Sequence, residues 1–132
     1  IPMDFGGLWG FVDPAGNPLI TPQFIEVRPF SEGYAAVRMT EKWGFVDKRG
    51  NYAVHPTYEE CGDFSEGLAS VKWYGRWGYI NSSDKMVIRP QFQEVKPFQG
   101  GLADVRLGPR WGKCDKVGQV TFLNGAQTFR LT

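Results

Sequence analysis

The side chains best suited to acid–base chemistry are carboxylates that recur along the chain: Glu26, Glu60 and Glu94, and Asp13, Asp47 and Asp115. A pair of them flanking a sugar would supply the acid and base of a glycosidase. Such catalysis needs two unlike environments at one place, whereas these carboxylates stand at equivalent positions of a repeat. The simpler expectation is a ladder facing Arg38, Lys72 and Arg106 and Lys42, Arg76 and Arg110, each exposed pair contributing about 0–1 kcal/mol. Cys61 stands where Val27 and Val95 stand, and Cys114 where Val12, Val46 and Ile80 stand. Both therefore read as small buried apolar side chains rather than as disulfide, metal or redox groups. His55 corresponds to Thr21 and Arg89 and has no cluster of ligating residues around it in sequence. Gly6-Gly7 and Gly100-Gly101 open no helix, so they make no phosphate loop. The expectation is a chain with no catalytic residue, no metal and no cofactor.

The elements that carry these residues follow from one motif. Trp9-Gly10-Phe11-Val12-Asp13 recurs as Trp43-Gly44-Phe45-Val46-Asp47, Trp77-Gly78-Tyr79-Ile80-Asn81 and Trp111-Gly112-Lys113-Cys114-Asp115, a period of 34. A fixed period of this length is the signature of a repeat architecture. Ahead of each tryptophan, Ala35-Ala36-Val37-Arg38-Met39, Ala69-Ser70-Val71-Lys72-Trp73 and Ala103-Asp104-Val105-Arg106-Leu107 alternate as half-buried strands do. Ile1, Met3 and Phe5 fall in the same phase. The Trp-Gly strand follows, its glycine making room for the neighbouring unit's apolar side chains. Turns come next, with Asp first and Gly16, Gly50 or Gly118 closing in the left-handed conformation, and Asp84 taking that place in the third copy. A third strand carries Pro22, Pro56 or Pro90 and belongs at a strand end or an edge. A short extended piece and a Phe-x-Glu-Gly turn complete the unit.

These residues carry a resemblance. Trp-Gly-Phe-Val-Asp, the Val-Ile-x-Pro-x-Phe run and Phe-x-Glu-Gly-Leu-Ala-x-Val resemble the WG repeat (KWG repeat) family, common in bacterial proteins, from Ile1 to about Thr121. The departures are Lys113 in place of Phe, Asp84 in place of the turn glycine, and the eroded fourth copy with Asn124 and Ala126, read as a cap. The resemblance implies tandem antiparallel β elements and offers no catalytic motif. The Trp-Gly-Arg signature of nucleic-acid-associated domains is absent.

The expected fold is all-β, four tandem units of about 34 residues at 1-32, 33-66, 67-100 and a degenerate 101-132, in one domain. An open stacked array is favoured over a propeller-like ring, because a closed ring would want its last unit intact. Trp9, Trp43, Trp77 and Trp111 are expected to form the repeating structural core, each ring burying about 150–250 Å² between units. The aromatics outside the repeat, Trp73 and Tyr74 with Lys72 and Arg76, form a candidate partner-binding patch. The competing reading puts Trp73 in the core, in phase with Met39 and Leu107.

A net charge of +1, from 15 basic and 14 acidic residues, gives no electrostatic reason to expect nucleic acid. No apolar run is long enough to span a bilayer, and no leader opens the chain. The start at Ile1 points to a processed product or an excised fragment and leaves bacterial cytoplasm and cell envelope both open. The function expected is a non-enzymatic module for protein–protein interaction or scaffolding. The alternative is a carbohydrate- or cell-wall-binding module.

Overall fold

The computed structural model describes residues 1–122 and the backbone of residues 128–130. It is all-β, with no helix among the described residues. The first sheet is β1 (Pro2–Phe5), β2 (Leu8–Val12) and β3 (Pro18–Phe24). The second is β4 (Glu26–Val27), β5 (Ala35–Met39), β6 (Lys42–Val46) and β7 (Tyr52–Tyr58). The third repeats it as β8 (Glu60–Cys61), β9 (Ala69–Trp73), β10 (Arg76–Ile80) and β11 (Met86–Phe92). The fourth holds β12 (Glu94–Val95), β13 (Leu102–Leu107), β14 (Arg110–Asp115), β15 (Gln119–Phe122) and β16 (Thr128–Arg130). Neighbouring strands pair antiparallel in sequence order, and none of the four sheets closes into a barrel. The chain is a tandem array of β repeats. The short extended piece expected from sequence is the two-residue first strand of each later sheet, as in Glu26 opposite Arg38 and Val27 opposite Val37.

The prolines sit within edge strands, where a missing N–H costs no ladder bond. Around each one the register slips: Trp43 faces Tyr58 while Phe45 faces Val54, so β7 spends two extra residues at Pro56. The same slip occurs at Pro22 and Pro90. This explains the glycine of the motif, and corrects its expected cause. A Cβ on Gly10, Gly44 or Gly78 would lie 2.8, 2.8 or 2.7 Å from the nitrogen of Pro22, Pro56 or Pro90. The glycine makes room for its own sheet's bulged edge strand, not for the side chains of the next unit. In the fourth sheet β15 has no proline and pairs with β14 without a slip. Its outer edge stays regular, and β16 pairs there. The cap assigned to Asn124 and Ala126 lies outside the described residues.

The turn carboxylates also differ from expectation. Among the described residues, Asp13, Asp47 and Asp115 pair with no cation. Each Oδ1 accepts two backbone N–H groups of its own turn: Ala15 and Asn17, Arg49 and Asn51, Val117 and Gln119, at 2.8–3.0 Å. Asn81 does the same for Ser83 and Lys85, so an amide serves as well as a carboxylate. These hydrogen bonds hold the Asp13 carboxyl below its usual range, the backbone N–H of Asn17 first among them. The glutamates do face cations: Glu26 pairs with Arg38, Glu60 with Lys72 and Glu94 with Arg106 across the first two strands of their sheets.

The core lies between sheets. Three buried clusters each bridge two consecutive sheets: Phe11, Ile20, Phe24, Ala35 and Val37; then Phe45, Val54, Phe64, Ala69 and Val71; then Tyr79, Ile88, Phe98, Ala103 and Val105. Ring pairs recur at each junction, Phe11 on Phe30 at 4.9 Å, Phe45 on Phe64 at 4.7 Å and Tyr79 on Phe98 at 4.8 Å between centroids. A sheet this small cannot enclose apolar side chains alone, so stacking on its neighbour is what removes them from water. Trp43 is buried, whereas Trp9, Trp77 and Trp111 are half-buried. Trp9, Trp43 and Trp77 belong to the bridging clusters, and Arg28 lies 4.4 Å from the Trp43 ring centre. The cysteines are buried and unpaired, and burial pushes each thiol up to about 12.

A polar ladder runs beside the rings. Glu32 accepts the N–H groups of Glu66 and Gly67 at 2.7 and 2.9 Å, and Glu66 accepts those of Gly100 and Gly101 at 2.6 and 2.9 Å. Ser31 and Ser65 donate to the carbonyls of Phe64 and Phe98. The Gly101 and Gly100 donors hold the Glu66 carboxyl below its usual 4.5, and Lys116 adds to this. A lowered folded-state value means that the stabilisation is complete above pH 4.5 and is lost as pH falls through the folded value. Between about pH 6 and about pH 3, the denaturant midpoint should fall further for the parent chain than for Glu66→Gln. Equal slopes would remove Glu66 from the junction.

Candidate functional site

The hairpin joining β9 to β10 turns through Tyr74-Gly75, with φ of 51° and 79°. Two positive φ angles match the twist of a two-residue hairpin. Thr40 holds φ 52° at the same place in the second sheet, so the conformation belongs to the hairpin. What is particular to the third unit is a large ring in that position. Tyr74 is 83% exposed. Its neighbour Trp73 lies 5.2 Å away, tilted by 38°, and meets Tyr58 edge-on at 6.0 Å. Trp73 is the last residue of β9 and is 37% exposed, which sets it apart from the fully buried core the competing reading expects. The turn itself is fastened, since Gly75 N–H donates to Glu59 Oε1 at 3.2 Å.

Trp73, Tyr74 and Arg76 line an open groove of about 360 Å³ whose other wall is Arg89, Pro90 and Gln91 of β11. Lys72 is placed outside it, 3.9 Å from Glu60. Arg76 and Arg89 make no ion pair among the described residues, so the groove is cationic around two aromatic rings. Residues 89–91 escape a reading along the chain because they are distant in sequence and meet the hairpin only through the pairing of β10 with β11. The available signal is Arg89, which stands where the other units have Thr21 and His55.

A smaller depression of about 280 Å³ lies on the fourth sheet, lined in part by Lys96, Asp104 and Lys113. Lys113, which replaces the motif's aromatic residue, pairs with Asp104 at 2.6 Å. His55 is exposed beside the Tyr52 ring. Among the described residues, no three metal-ligating side chains assemble, and no helix is long and apolar enough to cross a membrane.

The family model described as WG containing repeat matches residues 9–43, 43–73 and 77–114. The chain belongs to the WG repeat family. No curated protein and no solved structure matches it significantly. Each WG match starts at a tryptophan, and the second ends at Trp73, so Tyr74, Gly75 and Arg76 fall between the second and third matches. In this WG chain the groove is a local feature of one repeat: the hairpin recurs in the later sheets, and Trp73, Tyr74 and Arg89 differ from the residues at the same phase of the other units.

Proposed function

We propose that this WG repeat chain is a non-catalytic interaction module and that the Trp73–Tyr74 groove receives an extended segment of a partner protein. The observation that carries this reading is the exposed pair of rings flanked by the guanidinium groups of Arg76 and Arg89. Trp, Tyr and Arg are the residue types over-represented where partners bind. A segment pairing an apolar or aromatic residue with a carboxylate would match both halves of the groove. The near-neutral chain and the small size of the cationic patch weigh against nucleic acid. A carbohydrate- or cell-wall-binding module is the alternative, since the same two rings offer a stacking surface.

Selection from a displayed peptide library, alongside a glycan array, separates the two. Acidic, aromatic-containing peptides should be enriched, and Tyr74→Ala should weaken their binding by about 2 kcal/mol, roughly thirtyfold in Kd, with little change in melting. Binding of oligosaccharides without peptides would turn the assignment to the carbohydrate module. Peptide binding that survives both Tyr74→Ala and Arg89→Ala would place the interaction elsewhere.

A further inference from the structure

The residue after the short first strand is Arg28 in the second sheet, Gly62 in the third and Lys96 in the fourth. Arg28 lies over the Trp43 ring, 4.4 Å from its centre, and its Nη1 donates to the Cys61 carbonyl of the third sheet at 2.6 Å. Lys96 stands 5.5 Å from the Trp111 ring centre. A cation over an indole face contributes about 0.5–2 kcal/mol. The third sheet keeps the ring and lacks the cation. Trp77 sits between Lys72 and Phe92 in the register that places Trp43 between Arg38 and Tyr58. Among the described residues no cation lies over it, and it is half-buried where Trp43 is 5% exposed.

The space beside Gly62 is open and polar. A Cβ there would lie 2.5 Å from Ser70 Oγ, and beyond Ser70 and the glycine's chain neighbours no atom comes within 4 Å of it. Ser70 stands where Ala36 stands in the second sheet, is 8% exposed, and donates to no group among the described residues. Every sealed-off side-chain oxygen or nitrogen among those residues has a partner. The exposed remnant of Ser70 therefore includes its hydroxyl, turned toward Gly62. Asp63 stands where Pro29 and Pro97 stand, is exposed, and enters no ion pair among the described residues. Against the second sheet, the third has lost a positive charge at 62 and gained a negative one at 63. Val95 holds the place of Cys61, paired with Val105 as Cys61 is with Val71.

We infer that the opening at Gly62, bounded by Trp77, Ser70 and Asp63, is a binding site for the guanidinium group of an arginine from a partner protein. The incoming group lies on the Trp77 ring and donates to the Val95 carbonyl, as Arg28 does at Trp43 and Cys61. Its remaining N–H groups go to the Ser70 hydroxyl and the Asp63 carboxylate. Arginine suits the site better than lysine, because a planar fork stacks on the indole while donating to several acceptors around its rim. The Trp73–Tyr74 groove is cationic and takes the opposite charge, so this inference stands without it.

The test titrates the full chain with the capped tripeptide acetyl-Gly-Arg-Gly-amide and follows the Trp77 indole N–H by NMR. Its resonance should shift and saturate, whereas the citrulline analogue, similar in shape but uncharged, should leave it unmoved. Gly62→Arg combined with Ser70→Ala rebuilds the Arg28–Ala36 arrangement, so the chain then supplies its own guanidinium. Melting of that variant should not fall, and its affinity for the tripeptide should drop at least about tenfold. Asp63→Asn, at an exposed position, should weaken binding about threefold with melting unchanged. Equal shifts from the citrulline peptide, or undiminished binding by either variant, overturn the site. Free arginine binding more tightly than the tripeptide overturns the assignment to a protein partner.

Discussion

Gly44→Ala should cost at least about 3 kcal/mol and abolish the cooperative unfolding of the second and third sheets. The new methyl would meet the carbonyl of Val54 and would lie 2.8 Å from the Pro56 nitrogen. Both are backbone atoms of a strand fixed by its pairing with β6, so there is no flexible side chain to move aside. Relief requires pushing β7 away, which takes Val54 and Tyr58 out of the cluster they share with the third sheet. Gly62→Ala is the control. Its methyl meets only the hydroxyl end of Ser70, and the change should be far milder. Urea denaturation of the two variants decides the matter, and equal midpoints would show that β7 is not held against Gly44.

The second large effect belongs to Phe45. Its ring is fully buried and meets Phe64 edge-on across the junction of the second and third sheets. Phe45→Ala should cost about 3–5 kcal/mol, transfer and cavity terms together. That is a large share of the 5–15 kcal/mol typical of a whole domain. The loss acts on two sheets at once, because the ring's partners lie in both. Circular dichroism during urea unfolding should show the midpoint fall with the native signal retained at zero denaturant. Tyr74→Ala, at an exposed turn, should stay within about 0.5 kcal/mol of the parent.

Much of this fold is local and therefore readable along the chain. The period of the tryptophans, the alternation of Ala35, Val37 and Met39, the left-handed glycines and the edge placement of the prolines each follow from a few adjacent residues. What was not legible depends on what faces what. The motif glycine announces a close approach, but only the register slip at Pro56 shows that the approaching backbone belongs to the same sheet. Asp13 and Asp47 are identical in type to ladder carboxylates, yet their turns capture them first because the N–H groups two and four residues ahead are nearer than any cation. Glu32 and Glu66 read as turn residues, and their hold on the next repeat appears only when turns 34 residues apart are stacked. The loss of this pair of residues at Gln99-Gly100 was the one trace of that role in the sequence. At the groove, Trp73 and Tyr74 are adjacent and could be picked out as departures from the period, with the recurring cation Arg76 beside them. Arg89 and Pro90 come to them through strand pairing.

Rings from neighbouring sheets hold the repeats together. Stability measured for Phe45→Ala, Phe64→Ala and the double variant tests this directly. Rings in contact at 4.7 Å should give a coupling energy of about 0.5–1.5 kcal/mol beyond simple burial. Losses that add to within about 0.3 kcal/mol would mean that the two sheets do not meet through these rings, and the stacked array as described would be wrong.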